Sequence, residues 1–205
     1  MREETDYTEA IEAYKDDEYV IIEPWGRSID HLRLTIIGKE GTPYDKGRFI
    51  FEIKFPENYP FQPPYAYAVT LMWHPNIDSS IPPGKLNICL DLINPDLVGK
   101  VDASTGASGW TPSKTLTNII EALKGMMHVE PPFFNPGDPL NHEAGEQYFR
   151  ALKKFESKAE KLENFSLNRV LGTLGLKNTQ WTKFFFSSNF IFYPTNRYFE
   201  IGKAK

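Results

Sequence analysis

The chain holds a single cysteine, Cys89, within residues 73–93, WHPNIDSSIPPGKLNICLDLI. A thiol both attacks an acyl group readily and leaves again as a thiolate, so it suits acyl carriage through a thioester. Its reference pKa of about 8.5 leaves some thiolate near neutral pH without a dedicated base. A lone Cys also serves as a small buried hydrophobe, so its neighbourhood must decide. Thirteen positions upstream, Asn76 ends the sequence His74-Pro75-Asn76. An amide aimed at a tetrahedral oxyanion is worth roughly 10²–10³ in rate; the plainer role for Asn76 is to close its own turn. His74, set between Trp73 and Pro75, reads as hydrogen-bonding support rather than as a base. With the histidines at 31, 74, 128 and 142, no Cys-His-Asp relay is evident. Asp138 lies in FNPGDPLN, confined to a turn by Gly137 and Pro139. It is either an ordinary turn residue or a carboxylate at the lip of a site. In the second role it would orient an incoming amine and help take its proton, because a lysine with reference pKa near 10.4 arrives protonated.

The elements that must position these groups follow from periodicity. TDYTEAIEAYKDD predicts an opening helix, capped by Thr5 or Asp6, with Ala10, Ile11 and Tyr14 as its apolar stripe. DHLRLTIIG alternates Leu32, Leu34 and Ile36; RFIFEIKF alternates Phe49, Phe51, Ile53 and Phe55; the turn-rich GTPYDKG between them predicts an antiparallel hairpin. YAYAVTLM is a third strand, which suggests a meander with one covered face. FPENYPFQPPY carries four prolines, so it is a stiff surface connection holding Tyr59 and Phe61. Phe61 there is an exposed anchor or packs inward. Residues 94–109 form a polar loop rich in Gly and Ser, of unusual length. TLTNIIEALKGMMHV is the clearest helix, with Leu116, Ile119, Ile120, Leu123 and Met127 on one face and Pro131-Pro132 to stop it. HEAGEQYFRALKKFESKAEKLENF predicts one more helical stretch with Tyr148, Leu152 and Phe155 as its stripe. Helix, strands, a loop with a thiol, then helices predict an α+β domain with helices on one face of an antiparallel sheet.

A length of 205 residues suits one domain with an extension, and 40% hydrophobic residues suffice for a core. One Cys excludes an intramolecular disulfide framework, and no paired Cys/His spacing suggests zinc or another metal. A reducing, intracellular (cytoplasmic) setting is expected. The acidic N-terminal stretch does not read as a secretory signal, and no run has the apolar length of a spanning helix. Residues 165–205 hold six Lys/Arg against one acid, a formal +5; the remainder carries 17 Lys/Arg against 26 Asp/Glu, a formal −9. Two regions with different jobs are expected, and the acidic one is a poor nucleic-acid binder. The tail, with WTKFFFSSNFIFYPTNRYF, either folds back on the core through its aromatic residues, anchors to an acidic partner or a membrane surface, or is disordered. Aromatic richness opposes disorder and an accessory docking element is favoured, while Lys183, Ser187, Ser188 and Asn189 interrupt any spanning run.

YPFQPP, HPNI, ICLD, WTPSKTL and NPGDPLN, in that order, resemble the catalytic domain of ubiquitin-conjugating enzymes over roughly residues 5–160, as does the hairpin YDKGRFIFEIKFPENYPFQPP. Each motif alone is unspecific; their order carries the resemblance. It implies an α+β fold with an antiparallel four-stranded meander sheet flanked by helices, in a catalytic domain of residues 1–164. It implies that Cys89 accepts the C-terminus of ubiquitin, or a ubiquitin-like modifier, from an activating enzyme and passes it to a substrate lysine, usually with a ligase, of RING type for instance. No cofactor is implied, since ATP is used upstream by the activating enzyme. Asn76 matches the residue associated with the oxyanion or with ordering the site loop, Asp138 matches the acidic gate, and His74 and Pro75 support the site. Phe61, Pro112 and Ser113 match loop positions where ligases dock, and the opening helix matches the one that meets activating enzymes and ligases. Two spacings depart from the family: Asn76 to Cys89, where Pro82-Pro83-Gly84 is expected to bulge, and Cys89 to Trp110, where an insertion carries Asp96, Lys100 and Asp102. A catalytically inactive relative that binds ubiquitin as a scaffold is the main alternative, disfavoured by the Cys in ICLD. An unrelated cysteine acyltransferase or protease would need a base.

Overall fold

The computed structural model describes residues 2–82, 85–101 and 108–173, with two short strands at 191–192 and 198–199; side chains are placed through residue 162. Four strands form an antiparallel meander in chain order: β1 (Val20–Pro24), β2 (His31–Ile37), β3 (Arg48–Lys54) and β4 (Tyr65–Ala68). Alternation builds its centre. Leu32, Leu34 and Ile36 of β2 lie opposite Ile53, Phe51 and Phe49 of β3, and all six are buried. Each buried layer is thus a cross-strand pair of apolar side chains, the unit that stabilises a sheet. The α+β architecture and the four-stranded meander agree with the expectation. Strand patterning had marked only three of the strands; β1 is a short β-branched run that ends at a proline, as an edge strand can.

Helix α1 (Arg2–Tyr14) begins earlier than predicted, and neither Thr5 nor Asp6 caps it. Asp6 sits inside the helix and is buried, bonded to Arg2 and to the Tyr59 hydroxyl. Spacing by four along Asp6, Ala10 and Tyr14 faces the core, which leaves Ile11 outside at 37% exposure. A hairpin of two-residue strands, β5 (Trp73–His74) and β6 (Ile77–Asp78), follows β4. Helix α2 (Leu116–Met127) buries all five predicted stripe residues and starts at Thr115 with a reciprocal capping box to Asn118. It ends before the prolines: His128 is its C-cap, Val129 takes a left-handed φ of 59°, and the Glu130 N–H reaches back to the Gly125 carbonyl.

The last predicted helical stretch is two helices, α3 (His142–Arg150) and α4 (Leu152–Thr173), broken at Ala151. The break resets the helical phase. Phe155 stays fully buried among Tyr44 and Tyr148, but Leu152 is 46% exposed and leaves the predicted stripe. Helix α4 runs through residue 165, the expected start of the tail, to Thr173. Beyond it only β7 (Ile191–Phe192) and β8 (Tyr198–Phe199), paired antiparallel, are described; the rest of the docking tail, and residues 83–84 and 102–107 of the two insertions, lie outside the described residues. What is described of the second insertion turns back on itself. Val101 bridges Ser108, the Gly99 N–H donates to the Trp110 carbonyl, and a Cβ on Gly109 would stand 2.0 Å from the Leu97 carbonyl oxygen.

The phase reset gives a paired prediction. Phe155→Ala is expected to cost about 3–5 kcal/mol of unfolding free energy. Leu152→Ala, three residues earlier, is expected to change it by less than about 1 kcal/mol. Urea denaturation of both variants checks this, and comparable losses would refute the break in phase.

Candidate active site

Pairing brings the cysteine to the His-Pro-Asn turn. Beyond β6, the segment carrying Cys89 continues the antiparallel ladder: the Asp78 N–H donates to the Asn87 carbonyl (2.9 Å), Ile77 bridges Ile88, and the Cys89 N–H donates to the Asn76 carbonyl (2.8 Å). Ile88 is buried, and the next residue, Cys89, faces out and is exposed. Asn87 anchors the segment to the sheet. Fully buried, it accepts from the Ala68 N–H (3.0 Å) and donates through Nδ2 to the Ala68 carbonyl (2.9 Å), so a side-chain amide stands where the next strand's backbone would. Both insertions therefore leave the thiol in register with the sheet.

His74 has no solvent and no free nitrogen. Its Nδ1 accepts from the Asn76 N–H (2.9 Å), which puts the ring proton on Nε2, 3.3 Å from the Met126 carbonyl. Tyr44 stacks on one side and Phe134 meets it edge-on, each with centroids 5.3 Å apart. Burial outweighs the Met126 contact and lowers its pKa to about 3, so it remains neutral and cannot serve as a base at neutral pH. The Pro75 carbonyl accepts from the Asn141 N–H (2.8 Å), and Asn141 caps α3 by accepting from the Ala144 N–H. The Asn76 side chain does not close its own turn. Its Nδ2 donates to the carbonyls of Asn135 (2.8 Å) and Asp138 (3.2 Å), and its Oδ1 accepts from the Asn135 N–H (2.8 Å). Asp138 is thereby held by its backbone next to the turn, with its residue exposed.

The thiol's surroundings act against ionisation. Packed protein on its inner side, then the carboxylate of Asp138, then that of Asp91, raise the Cys89 pKa above its ordinary value. The ready thiolate expected from a reference thiol is therefore diminished here. Hydrogen bonds link the three residues: the Cys89 N–H donates to the Asn76 carbonyl, and Asn76 Nδ2 donates to the Asp138 carbonyl. Asp91, Asn87, Asn135 and Asn141 are the participants that the sequence reading did not name. Asn87 and Asp91 lie within two residues of the cysteine, and that proximity was the available signal. Among the described residues no group of three or more His, Cys, Asp or Glu is arranged to hold a metal ion.

Phe61, Pro112 and Ser113 are elsewhere, on two loops that one tryptophan joins. Trp110, fully buried, donates through Nε1 to the Pro60 carbonyl at 2.7 Å. Phe61 is 70% exposed, and Pro112 and Ser113 are exposed as well. Arg2 bonds both the Lys114 carbonyl (3.2 Å) and Asp6, whose other oxygen takes the Tyr59 hydroxyl. The start of α1 and both loops thus form one surface.

The model of the family described as ubiquitin-conjugating enzyme matches residues 2–163. The chain belongs to the ubiquitin-conjugating enzyme family. It is 34% identical over 137 residues to the NEDD8-conjugating enzyme UBE2F of Gallus gallus, covering 67% of this chain and 65% of that one. It is 38% identical over 112 residues to the ubiquitin-conjugating enzyme E2 T of Homo sapiens, covering 55% and 48%. Ubiquitin-conjugating enzyme E2 27 of Arabidopsis thaliana is 30% identical over 148 residues, covering 72% and 66%. The chain spans about half to two thirds of the length of these curated relatives. The match of the ubiquitin-conjugating enzyme family covers the sheet, the His-Pro-Asn turn, the cysteine segment and α2 and α3. Among the described residues no helix is long and apolar enough to cross a membrane.

The electrostatics predict a direction. Asp138→Asn removes a negative neighbour of the thiol, so the Cys89 pKa should fall and the rate–pH profile of its alkylation by iodoacetamide should move to lower pH. Raising salt should move the wild-type profile the same way. An unmoved profile in Asp138→Asn would separate the carboxylate from the thiol.

Proposed function

We propose that Cys89 is the acyl acceptor of a ubiquitin-conjugating enzyme, charged with ubiquitin or a ubiquitin-like modifier and discharged to a lysine. The observation that carries this reading is the chain's only thiol, exposed on a segment bonded to a rigid His-Pro-Asn turn within the family's fold. In charging, the Cys89 thiolate attacks the thioester carbonyl of the modifier on the activating enzyme; a new C–S bond forms and the enzyme's thiolate leaves. In discharge, a neutral lysine amine attacks, a C–N bond forms, the C–S bond breaks, Cys89 leaves as thiolate, and the proton lost by the attacking nitrogen passes to solvent. A raised pKa makes Cys89 the poorer leaving group, which favours holding the acyl group until an amine is well placed. No cofactor is required, because the thioester's energy comes from ATP used upstream by the activating enzyme. The thiol must stay reduced, which supports a cytoplasmic setting.

The same arrangement supports roles for its neighbours. Asp138, at the lip beside the thiol, receives the incoming ammonium and favours its loss of a proton. Both Nδ2 protons of Asn76 are engaged, so its role is to hold the 135–138 loop against the cysteine segment rather than to point a free donor at the oxyanion. His74 and Pro75 support that turn. Phe61, Pro112 and Ser113 form the ligase-binding surface, for a ligase of RING type, with α1 beside it for the activating enzyme. An exposed aromatic on a loop fixed by a buried tryptophan is a suitable anchor.

The deciding experiment is charging with activating enzyme, ATP and modifier. Wild type should form a conjugate cleaved by thiol reductant, Cys89→Ser one that resists it, and Cys89→Ala none. A reductant-sensitive conjugate on Cys89→Ala would overturn the reading. For the turn, Asn76→Ala should charge but discharge to free lysine roughly 10²-fold more slowly, the scale of loss when a reacting group is misplaced by about 1 Å. Single-turnover discharge of a folded variant at the wild-type rate would remove Asn76 from the site.

A further inference from the structure

We infer that Lys158 is a positioning residue for this site: seated on the Trp73 ring and bonded to Glu143, it sets the spacing between the cysteine segment and the loop that carries Asp138. The inference rests on the acyl-transfer reading above for its consequence, and on geometry for its substance. The Lys158 Nζ lies 3.1 Å from the centroid of the Trp73 ring and 3.2 Å from Glu143 Oε1. The Trp73 indole N–H is buried and has no hydrogen-bond partner. Nothing polar at the ring's edge therefore orients it, and the ammonium over its face is its directional contact. Ammonium–ring attraction of this kind is electrostatic and depends on the charge.

Three elements meet in this contact, and each leads to the site. Trp73 begins β5, pairs with Asp78 and immediately precedes His74, and its carbonyl accepts from the Tyr44 hydroxyl at 3.0 Å. Glu143 lies in the first turn of α3, where Gln147 Nε2 also donates to it at 2.8 Å. That end of α3 packs straight onto the loop with Asp138: a Cβ on Gly145 would stand 2.7 Å from Pro139 Cγ and 3.1 Å from the Pro136 carbonyl. Lys158 itself projects from α4, the helix that leads out of the domain toward the tail. One side chain thus ties the strand before the turn to the helix behind the Asp138 loop, alongside the backbone bond from the Asn141 N–H to the Pro75 carbonyl. An exposed Lys–Glu pair alone is worth little, but the ring contact adds a second, fixed partner.

Lys158→Met keeps the stem and removes the charge; Lys158→Arg keeps the charge. With the Asp138 loop loosened, the carboxylate spends less time near the sulfur. Lys158→Met should therefore shift the Cys89 alkylation profile to lower pH, toward that of Asp138→Asn, and add nothing to it in the double variant. Discharge from pre-charged protein to free lysine should fall about tenfold, within the range of positioning couplings. Lys158→Arg should restore both. Glu143→Gln, at the surface, should move both readouts the same way by less, and it serves if Lys158→Met fails to fold. A variant that melts at lower temperature yet keeps the wild-type profile and discharge rate overturns the inference, as does loss of both readouts in Lys158→Arg. Failure of the wild type to charge would reject the acyl-transfer reading, while the alkylation profile would still judge Lys158.

Discussion

A buried side-chain amide has two donors and an acceptor to satisfy, and each one left unbonded costs about 1–3 kcal/mol. Asn76 meets that demand with three bonds to the backbone of residues 135 and 138, while its own backbone bonds Cys89 on one side and His74 on the other. The cysteine segment, the His-Pro-Asn turn and the Asp138 loop are consequently three branches from one residue. His74 must be neutral to accept from the Asn76 N–H, and its enclosure by Tyr44 and Phe134 keeps it neutral. Burial of the aromatic core and geometry of the thiol are for this reason the same problem: whatever loosens Tyr44 or Phe134 frees the ring that holds the turn.

The charges around the thiol work in opposite directions at the two steps of a transfer. Asp138 and Asp91 disfavour the thiolate, so they oppose both ionisation of the free enzyme and departure of Cys89 from an acyl intermediate. The same carboxylates attract an ammonium, which must arrive and lose a proton before it can attack. A neutralising cation at the lip offsets the penalty on the departing thiolate. Under the proposed acyl transfer, this arrangement would favour departure when an amine is present and retention of the acyl group when none is, without a histidine.

Periodicity showed the sheet centre and α2 because each residue there meets a continuous apolar environment: Leu32, Leu34, Ile36 and the five α2 positions are all buried as patterned. It failed where a polar group took a core position. Asp6 faces inward because Arg2 and Tyr59 satisfy it, and a hydropathy pattern assigns that place to Ile11 instead. Leu152 was misplaced because nothing in the residues around Ala151 announces a break; the Ala151 N–H still bonds the Gln147 carbonyl as in a continuous helix. Cys89, Asn76 and Asp138 were legible as chemistry. Asn87, Asn135 and Asn141 were not, since their work lies in bonds to backbone groups distant in sequence, and Asn in a turn-rich stretch carries no mark of a long-range partner.

The exposed Phe61 surface and the thiol are joined by rigid parts rather than by adjacency. Trp110 bonds the Pro60 carbonyl through its indole and the Gly99 N–H through its own carbonyl, so it fixes the Phe61 loop and the insertion after the cysteine at once. That insertion follows the short 3₁₀ turn at Asp91–Ile93, which starts with a carboxylate that acts on the thiol, and opens with a second at Pro95–Leu97. The loops of Phe61, Pro112 and Ser113 are thus connected through Trp110 to the segment that follows Cys89. Close approach of the Gly109 and Leu97 backbones leaves no room for slack along this route, because even a methyl group at Gly109 would collide. The Asp91 side of the thiol is continuous with these loops, while the Asp138 side is held by Asn76 and α3. The two carboxylates flanking the sulfur thus answer to different parts of the fold.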